Sequence, residues 1–191
     1  MIRTLFRIIL AFAFVFVFTA CNKDEILRKK DDFVTYTIPA GEHRSVSSVK
    51  LYKGNELNFN ILFDSTAIYT TLDPVNQHSI NKLYGFSDCN SNHHDNSARI
   101  GWRWFNNNLE IFAYCYSETE RSSELVTTID IGKEYECTIK AIDDNYYFTI
   151  NGKTCIIKRG CEKAKLKYFL YPYFGGTEAA SHDITIKIKR L

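Results

Sequence analysis

The stretch "IGKEYECTIKAIDDNYYFTINGKTCIIK", Ile131–Lys158, decides the fold. Polar and apolar residues alternate from Tyr135 to Ile142, again from Asn145 to Ile150, and again from Lys153 to Lys158. Period-two alternation rich in Ile, Tyr, Phe and Thr marks half-buried strands. Two connections between them are legible. Asp143-Asp144 forms one turn. Asn151-Gly152 forms the other, and Asn-Gly is the strongest two-residue hairpin signal because its turn needs positive φ at both positions. The segment predicts three antiparallel strands in succession.

The same alternation continues outward in both directions. It is present in "FVTYTI" (33–38), "RSVSSVKLY" (44–52), "ELNFNILF" (56–63), "SARIGWRW" (97–104), "LEIFAYCY" (109–116), "ELVTTIDI" (124–131) and "DITIKIK" (183–189). No stretch keeps a 3.6-residue period over three turns. Proline occurs only at positions 39, 74 and 172, so it rarely interrupts these runs. Many short strands at even spacing predict a β-sandwich or barrel. The 131–158 run also resembles the middle of concanavalin A-like and laminin-G-like jelly rolls. That resemblance implies an all-β, two-sheet antiparallel jelly-roll sandwich over residues 33–191. Its last strand, in "HDITIKIKRL", would return beside the first.

The N-terminus carries a different message. Arg3 and Arg7 precede an unbroken apolar run, Ile8–Phe18, and then Thr19, Ala20 and Cys21. A basic end, a short apolar run and small residues describe a secretory signal peptide over residues 1–20. The run is short for a membrane-spanning helix, which needs about 20 apolar residues. "FTAC" resembles the lipobox of bacterial lipoproteins, with Phe18 where leucine is usual. The resemblance implies lipid on the Cys21 thiol and a membrane as partner. "CNKDE" resembles the surface-export signal of Bacteroidota lipoproteins through Lys23, Asp24 and Glu25. It implies an outer-membrane protein facing the cell exterior, with residues 21–32 as a polar tether.

Charge and cysteines narrow the partners. Residues 1–20 hold two of the 24 basic residues and none of the 22 acids, so the remainder is balanced. A balanced body argues against nucleic acid, whose phosphates require a basic face. Besides Cys21, five cysteines remain: Cys89, Cys115, Cys137, Cys155 and Cys161. Five is odd, so at least one is free or paired between chains. Most lie within strand patterns, where a thiol acts as a small buried hydrophobe. No spacing matches a zinc site.

Candidate ligand residues follow from sheet parity. With Asn106-Asn107 as a turn, Arg103 faces Glu110 and Arg99 faces Tyr114. Ala98, Ile100, Trp102 and Trp104 then share the core face with Leu109, Ile111, Ala113 and Cys115. Arg99, Arg103, Glu110, Tyr114 and Tyr116 share the other, solvent-side face. Aromatic rings stack on the apolar face of a sugar, and forked guanidiniums bond its oxygens. His94 in the loop "GFSDCNSNHHDNSAR" and Tyr173 and His182 in "YPYFGGTEAASHD" complete the candidates. The loop is read first as a set of Asx turns, and no resident cofactor or metal is expected. Calcium is the one cation its Asp and Asn oxygens would suit.

The ending "YFLYPYFGG" and "RSSEL" (121–125) resemble two strand motifs of alginate-lyase jelly rolls. That family's Gln-x-His motif is missing, so no catalytic residue is carried over. A glycosidase needs two facing carboxylates, and Glu110 is the only acid on the face. These readings order the functions. A surface lipoprotein that binds glycan, with polysaccharide as partner, comes first. A polysaccharide lyase-like enzyme and a structural or protein-interaction lipoprotein are the alternatives.

Overall fold

The computed structural model describes residues 32–191, and the expectations on the signal, Cys21 and the export residues lie outside them. In chain order the strands are β1 (Val34–Ile38), β2 (Leu51–Tyr52), β3 (Glu56–Phe63), β4 (Asn81–Ser87), β5 (Ser97–Phe105), β6 (Asn108–Ser117), β7 (Glu120–Ile129), β8 (Glu134–Ile142), β9 (Asn145–Ile150), β10 (Lys153–Lys158), β11 (Lys167–Leu170) and β12 (Ile184–Arg190). They form two six-stranded sheets. The first runs β1-β12-β3-β8-β9-β10 and the second β2-β11-β4-β5-β6-β7. Every pairing is antiparallel. This is the all-β, two-sheet sandwich that the jelly-roll resemblance implies, with β12 lying beside β1.

The turns follow their residues. Asn151 and Gly152 have φ of 47° and 79°, and Asn106 and Asn107 have 49° and 58°. These left-handed values suit Asn and Gly, and they fix the register of both hairpins. Arg103 therefore faces Glu110, and Arg99 faces Tyr114. Trp102 is fully buried, in contact with Phe63 (ring centroids 5.1 Å) and edge-on to Tyr69 (5.8 Å). The core between the sheets also takes Phe59, Ile61, Ile139, Phe148 and Ile186 from the first sheet and Phe86, Ile100, Ile111 and Ala113 from the second.

The two sheets differ in their outer faces. Strands β3, β8 and β12 alternate between buried and accessible residues, as one wet face requires. The centres of β4, β5 and β6 are buried on both faces. The expected solvent-side position of Arg99 and Tyr114 is thus corrected: both are buried, at 5% and 2% exposure. The strand expected over 44–52 is also shortened to Leu51–Tyr52. Arg44 bridges Tyr173, and Ser45 N–H donates to the Pro172 carbonyl. Pro172 has no N–H to extend that ladder. The chain then leaves the sheet with Val46 and Val49 exposed.

A polar clasp ties the sheets together at one end. Asp88, just after β4, accepts hydrogen bonds from Arg159 Nε (2.6 Å) and Nη2 (3.0 Å), just after β10, and from the Tyr146 hydroxyl (2.9 Å). Lys167 Nζ stands 3.6 Å from the same carboxylate. Burial opposes the charge of Asp88, but the Arg159 hydrogen bond and the Lys167 charge outweigh it and hold its pKa below the usual carboxylate value. A disulfide joins the adjacent Cys89 to Cys161, so the reading of the cysteines as mainly free hydrophobes holds only for part of the set. Cys115 and Cys137 are free and buried in the core, and Cys155 is free and partly accessible. Burial raises all three thiol pKa values, which leaves them poor nucleophiles.

Candidate functional site

A groove of about 710 Å³ opens beside the second sheet. Its walls are the 42–49 segment and Tyr168–Tyr173, and Arg99 and His93 face it between them. Each wall has a local cause. Ser45 is held by its N–H and its hydroxyl, which both donate to Pro172 O. The N–H of Phe174 donates to His43 O, and the His43 ring stacks on Tyr173 at 5.5 Å. The clasp described above anchors the loop that carries His93. Within that loop the Asn90 side-chain oxygen accepts from the N–H groups of Lys165 and Leu166, and Asn96 accepts from the N–H of Glu118.

Aromatic rings and cations are layered on the outer face of this sheet. The Lys82 amine lies 5.2 Å from the Tyr114 ring centroid and 5.6 Å from that of Tyr173. The Arg99 guanidinium lies 5.7 Å from the same Tyr114 ring. Tyr114 is edge-on to Tyr116 at 6.0 Å, and Tyr116 is next to His94 at 5.5 Å. Gly175 makes room for the lysine, since a Cβ there would stand 2.8 Å from Lys82 Nζ. Burial, then the nearby charges of Arg99 and Arg121, push the Lys82 pKa down to about 8. His93 is fixed by a 3.1 Å hydrogen bond between its Nδ1 and the Tyr168 hydroxyl. Burial, then Arg99 and His94, push its pKa down to about 4, so it is neutral at pH 7.

The structure brings together Arg99, Tyr114, Tyr116, His94 and Tyr173 from the sequence candidates. It separates the other three. Arg103 donates to Glu110 at 2.6 Å and to the His78 carbonyl at 2.9 Å, an ion pair complete in itself. His182 binds the Thr66 carbonyl at 2.9 Å and lines no part of the groove. Lys82, His93 and Tyr168 belong to the site and were not among the candidates. Of the loop oxygens suited to calcium, those of Asp88, Asn90 and Asn96 are engaged by protein donors. Asn92 likewise accepts from the N–H of His94. His93 and His94 lie edge-on to one another, with His93 Nδ1 already bonded to Tyr168, and do not converge on one point.

No family model and no curated protein sequence matches the chain. Solved structures do, and they define the fold as a jelly-roll sandwich. The alginate lyase vAL-1 from Chlorella virus is similar at TM-score 0.52 and 13% identity, covering 83% of this chain and 82% of that one. An endo-glucanase of glycoside hydrolase family 16 from Bacteroides ovatus is similar at TM-score 0.54 and 8% identity, covering 84% and 81%. The family 7 alginate lyase A1-II' is similar at TM-score 0.54 and 11% identity, covering 82% and 75%. At these identities the likeness is one of fold.

Proposed function

We propose that this protein is a surface lipoprotein whose sandwich binds glycan in the groove beside Arg99. One observation carries the reading: a groove within the size range of ligand sites, with a partnerless guanidinium beside Tyr168 and Tyr173. Tyrosine rings supply stacking surface for sugar C–H faces, and the guanidinium fork supplies directed donors. Solved structures of this fold include proteins named as lyases and glucanases of polysaccharides, which supports the reading by analogy alone. The test is a glycan array probed with the full chain in detergent. Retention of a polysaccharide, weakened in Tyr173→Ala, is expected. An array with no retained glycan overturns the reading.

A second reading, cleavage of the bound glycan, is favoured by Lys82. An amine with a pKa of about 8, at 5.6 Å from the Tyr173 ring centroid, offers a base on the same side of the sheet as a phenol. New chain ends released from a retained polysaccharide would support it, and an unchanged polymer would remove it.

The anchor belongs to the same proposal and rests on the "FTAC" and "CNKDE" stretches. Cells fed an alkynyl fatty acid should label the protein, and Cys21→Ala should abolish the label. External protease should digest the protein on intact cells. The joint replacement of Lys23, Asp24 and Glu25 by Ala should protect it, and equal digestion of both would remove the export reading.

A further inference from the structure

Two arginines line this groove, Arg44 and Arg99, and neither pairs with a carboxylate among the described residues. Arg99 is 5% exposed, lines the groove and makes no side-chain hydrogen bond among the described residues; its Nε is buried without a partner. Lys82, on the adjacent strand, rests over the Tyr114 and Tyr173 rings and pairs with no carboxylate among the described residues. Glu42, the one acid lining the groove, pairs with neither cation. Two other arginines provide internal controls. Arg103 lies four residues further along the same strand and face, and it is neutralised by Glu110. Arg159 is buried and neutralised by Asp88.

A buried cation without a carboxylate is unfavourable, and proteins ordinarily pair it. Here two neighbouring cations approach one tyrosine ring, Arg99 lining the groove and Lys82 lying against the groove-lining Tyr173, and neither pairs with a carboxylate among the described residues. A guanidinium fork matches the two oxygens of a carboxylate, and an ammonium adds a point charge beside it. We propose that the groove seats an anionic group of its glycan, a uronate carboxylate or a sulfate ester, between the Arg99 guanidinium and the Lys82 ammonium, beside the Tyr114 ring that both approach. This rests on the glycan reading above and gives it a substrate class. The lowered pKa of Lys82 agrees with it: burial first, and then the charges of Arg99 and Arg121, disfavour the ammonium, and an anion beside it would offset them.

The test uses the full chain in detergent and four polymers: polygalacturonate, its methyl ester, dextran sulfate and dextran. The expected result is affinity for one charged polymer at least about tenfold above its uncharged counterpart, roughly 1.4 kcal/mol, and weakened by salt. Arg99→Gln and Lys82→Met should each lose that discrimination. The preferred pair tells carboxylate from sulfate. Equal affinity for charged and uncharged polymers overturns the anion seat and leaves glycan binding in place. Free galacturonate and sulfate are titrated in parallel while the Arg99 Nε–H resonance of isotope-labelled protein is followed. A saturable shift without any polymer binding keeps the seat and removes the glycan reading. No shift with either ion removes the seat, whatever the variants do.

Discussion

Arg159 grips Asp88 through both of its oxygens, at 2.6 and 3.0 Å, with both side chains almost wholly buried. Asp88 follows β4 of one sheet and Arg159 follows β10 of the other, so the pair crosses the sandwich. Asp88→Asn should destabilise the domain by about 3–5 kcal/mol, because it leaves Arg159 and Lys167 as uncompensated buried charges. Replacing Asp88 and Arg159 together by Leu and Met should cost less than Asp88→Asn alone. Denaturant midpoints for the two proteins check this, and a double replacement as damaging as the single one would overturn it.

The neighbouring disulfide closes a loop with a sequence separation of 72. Chain entropy assigns such a crosslink about 4 kcal/mol. Reduction, or Cys89→Ser with Cys161→Ser, should lower the melting temperature by roughly 10 °C for a domain of this size. Calorimetry with and without reductant reads it directly. An unchanged melting temperature would mean that the clasp alone holds this end.

Tyr173 is the better probe of ligand stacking. It is 37% exposed, whereas Tyr114 is 2% exposed. Tyr173→Ala should weaken glycan binding by about 1 kcal/mol, several-fold in affinity, with little change in stability. Tyr114→Ala should weaken both. Trp102→Ala should cost about 3–5 kcal/mol, as emptying a large buried aromatic site does. Melting and binding curves for all three variants separate these outcomes.

A proton linkage is expected at His93. Its pKa is about 4 in the folded state, against the usual 6.5. Between these values the unfolded chain binds a proton that the folded one does not. Stability should therefore be full above pH 6.5 and decline as the pH falls toward 4. His93→Gln should flatten that decline, and an equal slope in both proteins would assign it elsewhere. The groups around this imidazole are Arg99, His94, Asp95 and the Tyr168 hydroxyl.

Local chemistry made the hairpin site candidates legible. Asn106-Asn107 sets the β5–β6 register, so Arg99 opposite Tyr114 can be read from residues 97–116 alone. Lys82 could not be read in that way. Its strand shifts register between Lys82 and Tyr84, which buries Leu83 and Tyr84 in succession and breaks the alternation. Nor does any local pattern show that Arg99 is covered, because residues near positions 93, 168 and 173 close around it only through the fold. Ile80 lies over Gly101, where a Cβ would stand 2.7 Å from its Cγ2. The Cys89–Cys161 pairing likewise depends on two loops that meet only through the fold.

The direction of β1 has a consequence for the groove. The strand begins at Val34 and ends at Ile38, and the next residue, Pro39, already lines the groove. The strand's other end, at Val34, is roughly 17 Å away at strand spacing. The start of β1 and the groove-lining Pro39 therefore lie at opposite ends of one five-residue strand.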